Sequence, residues 1–301
     1  PRGDALRLQR RQSEARVPGP GECSAKRPFQ PAAVVGDGPD QRRRVGALFG
    51  TNGGTDRVED ASGGDRPADA GVGEAPANPR ELKNWDIFVD DLERFVENLG
   101  EPVIAMGHSR GAAVSLLLAI KRPELIRMLI LIDPTILPFS WMWWWYLAKL
   151  TGFARFAPIV ATAAKRRSEW PDQKSMLKAY QAKPVFQTWT DGFLDAYIRA
   201  GTEETGRETI RLCCAPLWES KCFAACPHDI WRHISRLQKP ALVLYGAKSD
   251  TFLASAAKRF KAKVPGAALR CFEDAGHFVP MERPDETAEV ILDFLRNENV
   301  F

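Results

Sequence analysis

The chain has 301 residues, of which 45% are hydrophobic and 27% charged, a balance that excludes a wholly disordered or a membrane-embedded polypeptide. Its 42 basic and 38 acidic side chains nearly cancel to +4, so no nucleic-acid partner is expected. Six cysteines in a chain of this length, without the spacing of a small secreted scaffold, give no disulfide framework; with no secretory pattern visible, a reducing cytoplasm is the expected location.

Residues 1–80 lack Ile, Met, Trp, Tyr and His and hold only Phe29 and Phe49 as aromatics. Such a segment has little with which to build a core. Basic side chains crowd its first fifty positions, as at Arg10, Arg11 and Arg42 to Arg44, and read as a solvated arm. Short apolar pieces at Ala32 to Val35 and Val45 to Phe49 are weak strand candidates between close-set Gly and Pro. The expectation for 1–80 is an atypical segment, disordered or translated from an altered reading frame.

From residue 81 the pattern changes. Leu82, Trp85, Phe88, Val89, Leu92, Phe95, Val96 and Leu99 recur at helical spacing, and Gly100 ends the run. Pro102 to Met106 is a buried strand, Ala112 to Ile120 a helix, and Met128 to Ile132 a second strand that stops at Asp133-Pro134. Strand, tight turn, helix, strand is the rhythm of a parallel sheet with helical crossovers. Residues 135–236 interrupt it with Trp-rich, helical segments and are expected to form an inserted helical cap. The rhythm resumes with a strand at Ala241 to Tyr245, a helix over about 253–263, a strand at Ala268 to Phe272, a turn at Asp274 to His277 and a final helix from near Pro284. The fold class is therefore α/β, a mostly parallel doubly wound sheet whose core is 81–134 plus 237–301.

Gly107-His108-Ser109-Arg110-Gly111 lies between the first strand and its helix. A serine hydroxyl is a weak nucleophile that needs a neighbouring base and an oxyanion site, and a sharp strand-to-helix turn at Ser109 would present it to both. Of the four histidines, His108 is inside that turn and His228 and His233 lie in the insertion, which leaves His277 as the base. The orienting acid should end a strand between serine and histidine in the chain. Asp250 and Asp133 both qualify; Asp250 is favoured because it follows the later strand, closer to His277, while Asp133-Pro134 reads as the start of the cap connection.

The stretches Met106 to Ala112, Leu131 to Pro134, Gly246 to Asp250 and Ala275 to Pro284 resemble the α/β-hydrolase superfamily, and specifically its capped bacterial serine hydrolases of esterase or lipase type. The resemblance implies an acyl-enzyme mechanism on a carboxylic ester or related acyl group, with no cofactor, and a backbone oxyanion donor at Arg110. Aspartate at the turn would imply dehalogenase or epoxide chemistry; Ser109 implies esterase, lipase, lactonase or thioesterase chemistry, with cofactor-free haloperoxidase and carbon–carbon bond hydrolysis as alternatives using the same triad. The family's His-Gly loop, source of a second oxyanion donor, is not recognisable; Thr51-Asn52-Gly53-Gly54 is the nearest imitation, and an impaired, ligand-binding relative is the alternative that this leaves open.

The aromatic run Phe139, Trp141, Trp143, Trp144, Trp145 and Tyr146 is expected to wall an apolar acyl site, with His108, Trp141, Trp144 and Trp145 as substrate-binding side chains; packing of the cap onto the core and a role at a membrane surface are the competing uses. The apolar stretch after Leu137 is broken by Lys149 and Arg155 and is too short to span a bilayer. Cys213, Cys214, Cys222, Cys226, His228 and His233 lack the paired knuckles of a zinc site, so no metal is expected. Glu219 is placed either facing the site or on a solvated helix face.

Overall fold

The computed structural model describes residues 32–35, 79, 82–206 and 208–300. The candidate loop Thr51 to Gly54, the strand expected at Val45 to Phe49 and the reading of most of 1–80 lie outside the described residues. In chain order the elements are β1 (Ala32–Val35), α1 (Asp86–Leu99), β2 (Val103–His108), α2 (Arg110–Lys121), β3 (Ile126–Ile132), α3 (Phe139–Leu150), α4 (Pro158–Ala164), β4 (Glu169–Trp170), α5 (Gln173–Gln181), α6 (Phe193–Gly201), β5 (Thr202–Glu204), β6 (Ile210–Leu212), α7 (Pro216–Ala224), α8 (Ile230–His233), β7 (Ala241–Gly246), α9 (Ala254–Lys263), β8 (Ala268–Phe272), α10 (Val279–Glu282) and α11 (Pro284–Asn297).

The main sheet runs β1-β2-β3-β7-β8. The pairs β2–β3, β3–β7 and β7–β8 are parallel, and β1 is antiparallel to β2 with Ala32 opposite Gly107. Parallel strands covered on both faces read as continuous apolar runs, which is why the periodicity of the sequence marked them as buried without showing which side chain points where. The structure divides them cleanly. Val103, Ala105, Leu129, Leu131, Ala241 and Val243 join the core under α1, α2 and α9. Ile104, Met106, Met128, Ile130, Leu242 and Leu244 face the opposite layer with α11. The doubly wound expectation holds in this sense: one strand set, two helical layers.

The segment between β3 and β7 is not purely helical, in contrast to the cap expected for it. It includes a second, antiparallel sheet of order β4-β6-β5, whose strands are two or three residues long. Runs so short show no period-2 alternation, so only their pairing reveals them. Trp170, Met176, Tyr180, Phe186, Trp189 and Ile198 form a separate core there, against which Phe278 and Met281 of the main domain edge pack. Met142, Trp218, Cys222 and Trp231 of the same segment belong instead to the main core. The insertion therefore rests on the carboxyl edge of the sheet beside His277.

Candidate active site

Three consecutive features force Ser109 outward. Gly107 ends against the following helix so closely that an added Cβ would stand 2.5 Å from the Ala112 nitrogen. Ser109 itself has φ 58° and ψ −119°, a sparsely populated conformation for a residue with a Cβ, and such strain persists only where the surroundings over-determine it. They do so here: its N–H donates to the Ile132 carbonyl at 2.9 Å, and its carbonyl accepts from Ala113 and Thr135. Helix α2 starts at the next residue, so the Arg110 N–H lies in the first turn, where no carbonyl of its own helix reaches it and the helix dipole is positive.

The structure brings Ser109 and His277 together, with Ser109 Oγ 2.9 Å from His277 Nε2. It does not bring Asp250 to either. Asp250 is exposed and accepts a bond from the adjacent Thr251 hydroxyl. The carboxylate on His277 is that of Asp133, whose Oδ1 is 2.7 Å from Nδ1. The reason is the strand order. β3 lies directly beside β7, with Ile132 paired to Leu244 and the Asp133 N–H donating to the Leu244 carbonyl at 2.7 Å. At φ 41° Asp133 leaves the strand sharply. Its fully buried carboxylate also accepts from the Gly246 N–H at 3.1 Å and the Ser249 hydroxyl at 2.7 Å. Ser249 in turn accepts from the N–H groups of Thr251 and Phe252. The segment after β7 thus contributes donors that hold the acid, one residue short of the acid expected there.

His277 is fixed through its backbone as well as its ring. The buried Glu282 accepts from the N–H groups of Gly276 at 2.9 Å and Phe278 at 3.3 Å, on either side of it. His108 donates from Nε2 to the His277 carbonyl at 2.8 Å. That bond fixes the tautomer, because a carbonyl only accepts. Burial, reinforced by the neighbouring His277 ring, pushes the His108 imidazole down to about 3. His108 therefore stays neutral, with its ring 4.8 Å from that of His277 and its Nε2–H committed to the His277 loop. Glu282 went unnoticed in the sequence, although it stands within the Ala275 to Pro284 motif. Gly246 completes the arrangement: a Cβ there would lie 2.1 Å from the Gly276 carbonyl oxygen, so only glycine lets the His277 turn cross over the end of β7.

Other expected residues fall elsewhere. Trp141 and Trp144 point to solvent, and Trp145, half-buried, donates from its indole to the Cys226 carbonyl at 3.1 Å. None of the three makes a hydrogen bond or ring contact with Ser109, His277 or Asp133 among the described residues. The Arg110 guanidinium is buried and lies 4.9 Å over the Phe88 ring. Glu219 is held by Arg166 through both its oxygens, at 2.8 and 2.7 Å. Among the described residues no three His, Cys, Asp or Glu side chains are grouped to hold a metal ion. Burial pushes the Cys214 and Cys226 thiols up to about 12, which leaves them un-ionised near neutrality.

The profile of the alpha/beta hydrolase family matches residues 40–290. The chain belongs to this family. An abhydrolase domain-containing protein of Alternaria alternata is 24% identical over 235 residues, 66% of this chain and 84% of that protein. An uncharacterized hydrolase of Bacillus subtilis (strain 168) is 24% identical over 212 residues, 64% of this chain and 65% of its own length. Among solved structures, E-2-(acetamidomethylene)succinate hydrolase superposes with a TM-score of 0.57 at 18% identity, covering 71% of this chain and 74% of that one. That likeness is one of fold. As a member of the family the protein is an α/β hydrolase, and among its described residues no helix is long and apolar enough to cross a membrane.

Proposed function

We propose that the protein is a serine hydrolase that cleaves a carboxylic ester or a related acyl substrate through Ser109, His277 and Asp133. The observation that carries the reading is the unbroken relay of hydrogen bonds from Asp133 Oδ1 through the imidazole to Ser109 Oγ, at 2.7 and 2.9 Å. In this reading Ser109 Oγ attacks the acyl carbon as His277 Nε2 takes its proton. Nε2 then protonates the leaving alcohol or thiol, and an ester to Ser109 remains. Water, deprotonated by the same nitrogen, attacks that ester and releases the acid with Ser109 restored. Asp133 holds Nδ1–H and stabilises the imidazolium that forms at each step. The Arg110 N–H supplies one oxyanion donor, in the helix turn where developing negative charge is favoured. The Thr135 hydroxyl, 3.1 Å from Ser109 Oγ, is a second partner that keeps the nucleophile in place before substrate arrives.

Turnover of a p-nitrophenyl ester tests this. Ser109→Ala should abolish the burst and slow turnover by about 10⁴-fold or more, and a fluorophosphonate should label wild type but not the variant. Undiminished turnover by Ser109→Ala, or a wild type that neither turns over nor is labelled, would overturn the reading; the second outcome would favour a ligand-binding relative.

A further inference from the structure

Helix α3 and the turn after it expose an unusual amount of aromatic surface. Trp141, Trp143 and Trp144 are 61%, 61% and 71% exposed, and Phe153, Phe156 and Leu150 are exposed to a similar degree. On the helix, exposed Phe139, Trp143 and Leu150 lie along one line at i, i+4 and i+11, Trp144 lies about a third of a turn and Trp141 about half a turn round from it, so the exposed rings span the solvent-facing half of the helix. Met142 is buried beneath them, and Lys149 is turned inward to the Ala225 and Cys226 carbonyls. Large rings held out in water along a whole helix face mark an interaction site rather than scattered surface apolarity.

Charge says what the face meets. From Pro134 to Ser168 the sequence has no Asp or Glu, and of its five cations Lys149 is turned inward and Arg166 is held by Glu219, which leaves Arg155, Lys165 and Arg167. Arg155 sits over the Phe156 ring at 4.6 Å, and Arg259 of α9 over Phe139 at 3.9 Å, so cations border the aromatics themselves. A second copy of the chain would fit poorly: a two-fold interface opposes the patch to itself and would bring cation against cation. Tryptophan bordered by arginine, here Arg155 and Arg259, is instead the composition that settles at the headgroup level of an anionic bilayer.

We propose that α3 and the turn to α4 form a membrane-docking face that rests on anionic lipid, with the indoles of Trp141, Trp143 and Trp144 in the headgroup layer and Arg155 against lipid phosphates. Its place in the fold is apt, because α3 begins shortly after Asp133 and so lies on the carboxyl-edge side of the sheet. The proposal does not depend on the reaction assigned to Ser109.

Flotation of the full chain with phosphatidylcholine vesicles, with and without phosphatidylserine, tests it. Wild type should float with the phosphatidylserine vesicles, less so as salt is raised, and brominated lipid in them should quench its tryptophan emission. The triple variant Trp141→Ser, Trp143→Ser, Trp144→Ser should lose about tenfold or more of its partitioning, and Arg155→Ala about fivefold, with circular dichroism unchanged. Should the triple variant misfold, Trp144→Ser and wild-type quenching decide. A wild type that stays unbound and unquenched overturns the proposal, as does a folded triple variant that binds like wild type. A dimer in light scattering, broken by the triple variant without any vesicle binding, overturns it in favour of a second copy.

Discussion

The turn after β3 and helix α3, only a few residues apart, use their side chains in opposite ways. At the turn both carboxylate oxygens of Asp133 are spent: one serves His277 and Ser249, the other the Gly246 N–H, and nothing of the residue reaches solvent. On α3 large apolar rings are exposed. The first region is a buried polar network, where each member is costly to remove because its partners are left unsatisfied. The second is exposed surface, whose truncation should leave the fold almost unaffected. Substitutions should therefore separate the two regions by the size of their effects.

The largest effect belongs to the acid. Asp133→Asn should lower kcat by about 10⁴-fold by presenting the wrong groups to His277 Nδ1, whereas Asp250→Asn, at an exposed position where the carboxylate accepts from the adjacent Thr251 hydroxyl, should leave kcat/KM within about twofold. Ester turnover by the two purified variants checks this directly, and the reverse ranking would return the role to Asp250.

Next in size is the contrast between two tryptophans of the same insertion. Trp231 is buried in the main core and donates to the Leu137 carbonyl at 2.7 Å; Trp231→Ala should cost about 3–5 kcal/mol of stability. Trp144→Ala, out in solvent, should lie within about 0.5 kcal/mol of wild type. Urea melts of both variants measure the difference. A similar cost for both would mean that the exposed helix face is bound to something within the protein.

How much of this was legible in the sequence follows the same division. Ser109 and His277 could be located because the signals around them are local: an apolar strand, two glycines, a helix, and a Gly-preceded turn after the last strand. The choice between Asp133 and Asp250 could not be made locally. Both end a parallel strand, and the deciding fact is that β3 and β7 are neighbours with Ile132 level with Leu244, a matter of register. The favoured acid was one residue from Ser249, which does reach the network, but as a donor. The Trp run was visible as a cluster, yet its apolar side chains on all sides of α3 gave no periodicity from which to tell an inward face from an outward one. The second sheet was hidden by strands too short to alternate.

A smaller effect is expected at Glu282, which touches no reacting atom and acts by holding the His277 loop. Glu282→Ala should lower kcat by about 10²-fold through misplacement of the imidazole, with KM nearly unchanged, and Glu282→Gln, whose amide oxygen still accepts one of the two N–H bonds, should recover part of the loss. A loss of folded protein in both variants, with kcat per folded molecule unchanged, would assign the residue to stability alone.

The most selective effect should come from His108: above neutrality it is the smallest, and it appears only as a dependence on pH. Its folded-state pKa, about 3, is below the ordinary value of 6.5 because burial disfavours the cation. Between those two values the unfolded chain binds the proton and the folded chain does not, so stability rises with pH through this window and is lost as pH falls from about 6.5 toward 3. His108→Gln can keep an N–H donor toward the His277 carbonyl but has nothing to protonate. It should remove up to one proton from the acid-side slope, at most about 1.4 kcal/mol per pH unit, while leaving stability above neutrality little changed. Urea melts of wild type and variant across that range give the comparison. Parallel curves below pH about 6.5 would mean that His108 is not the group that resists protonation, and the burial that ties it to the His277 loop would then have to be looser than its 2.8 Å bond implies.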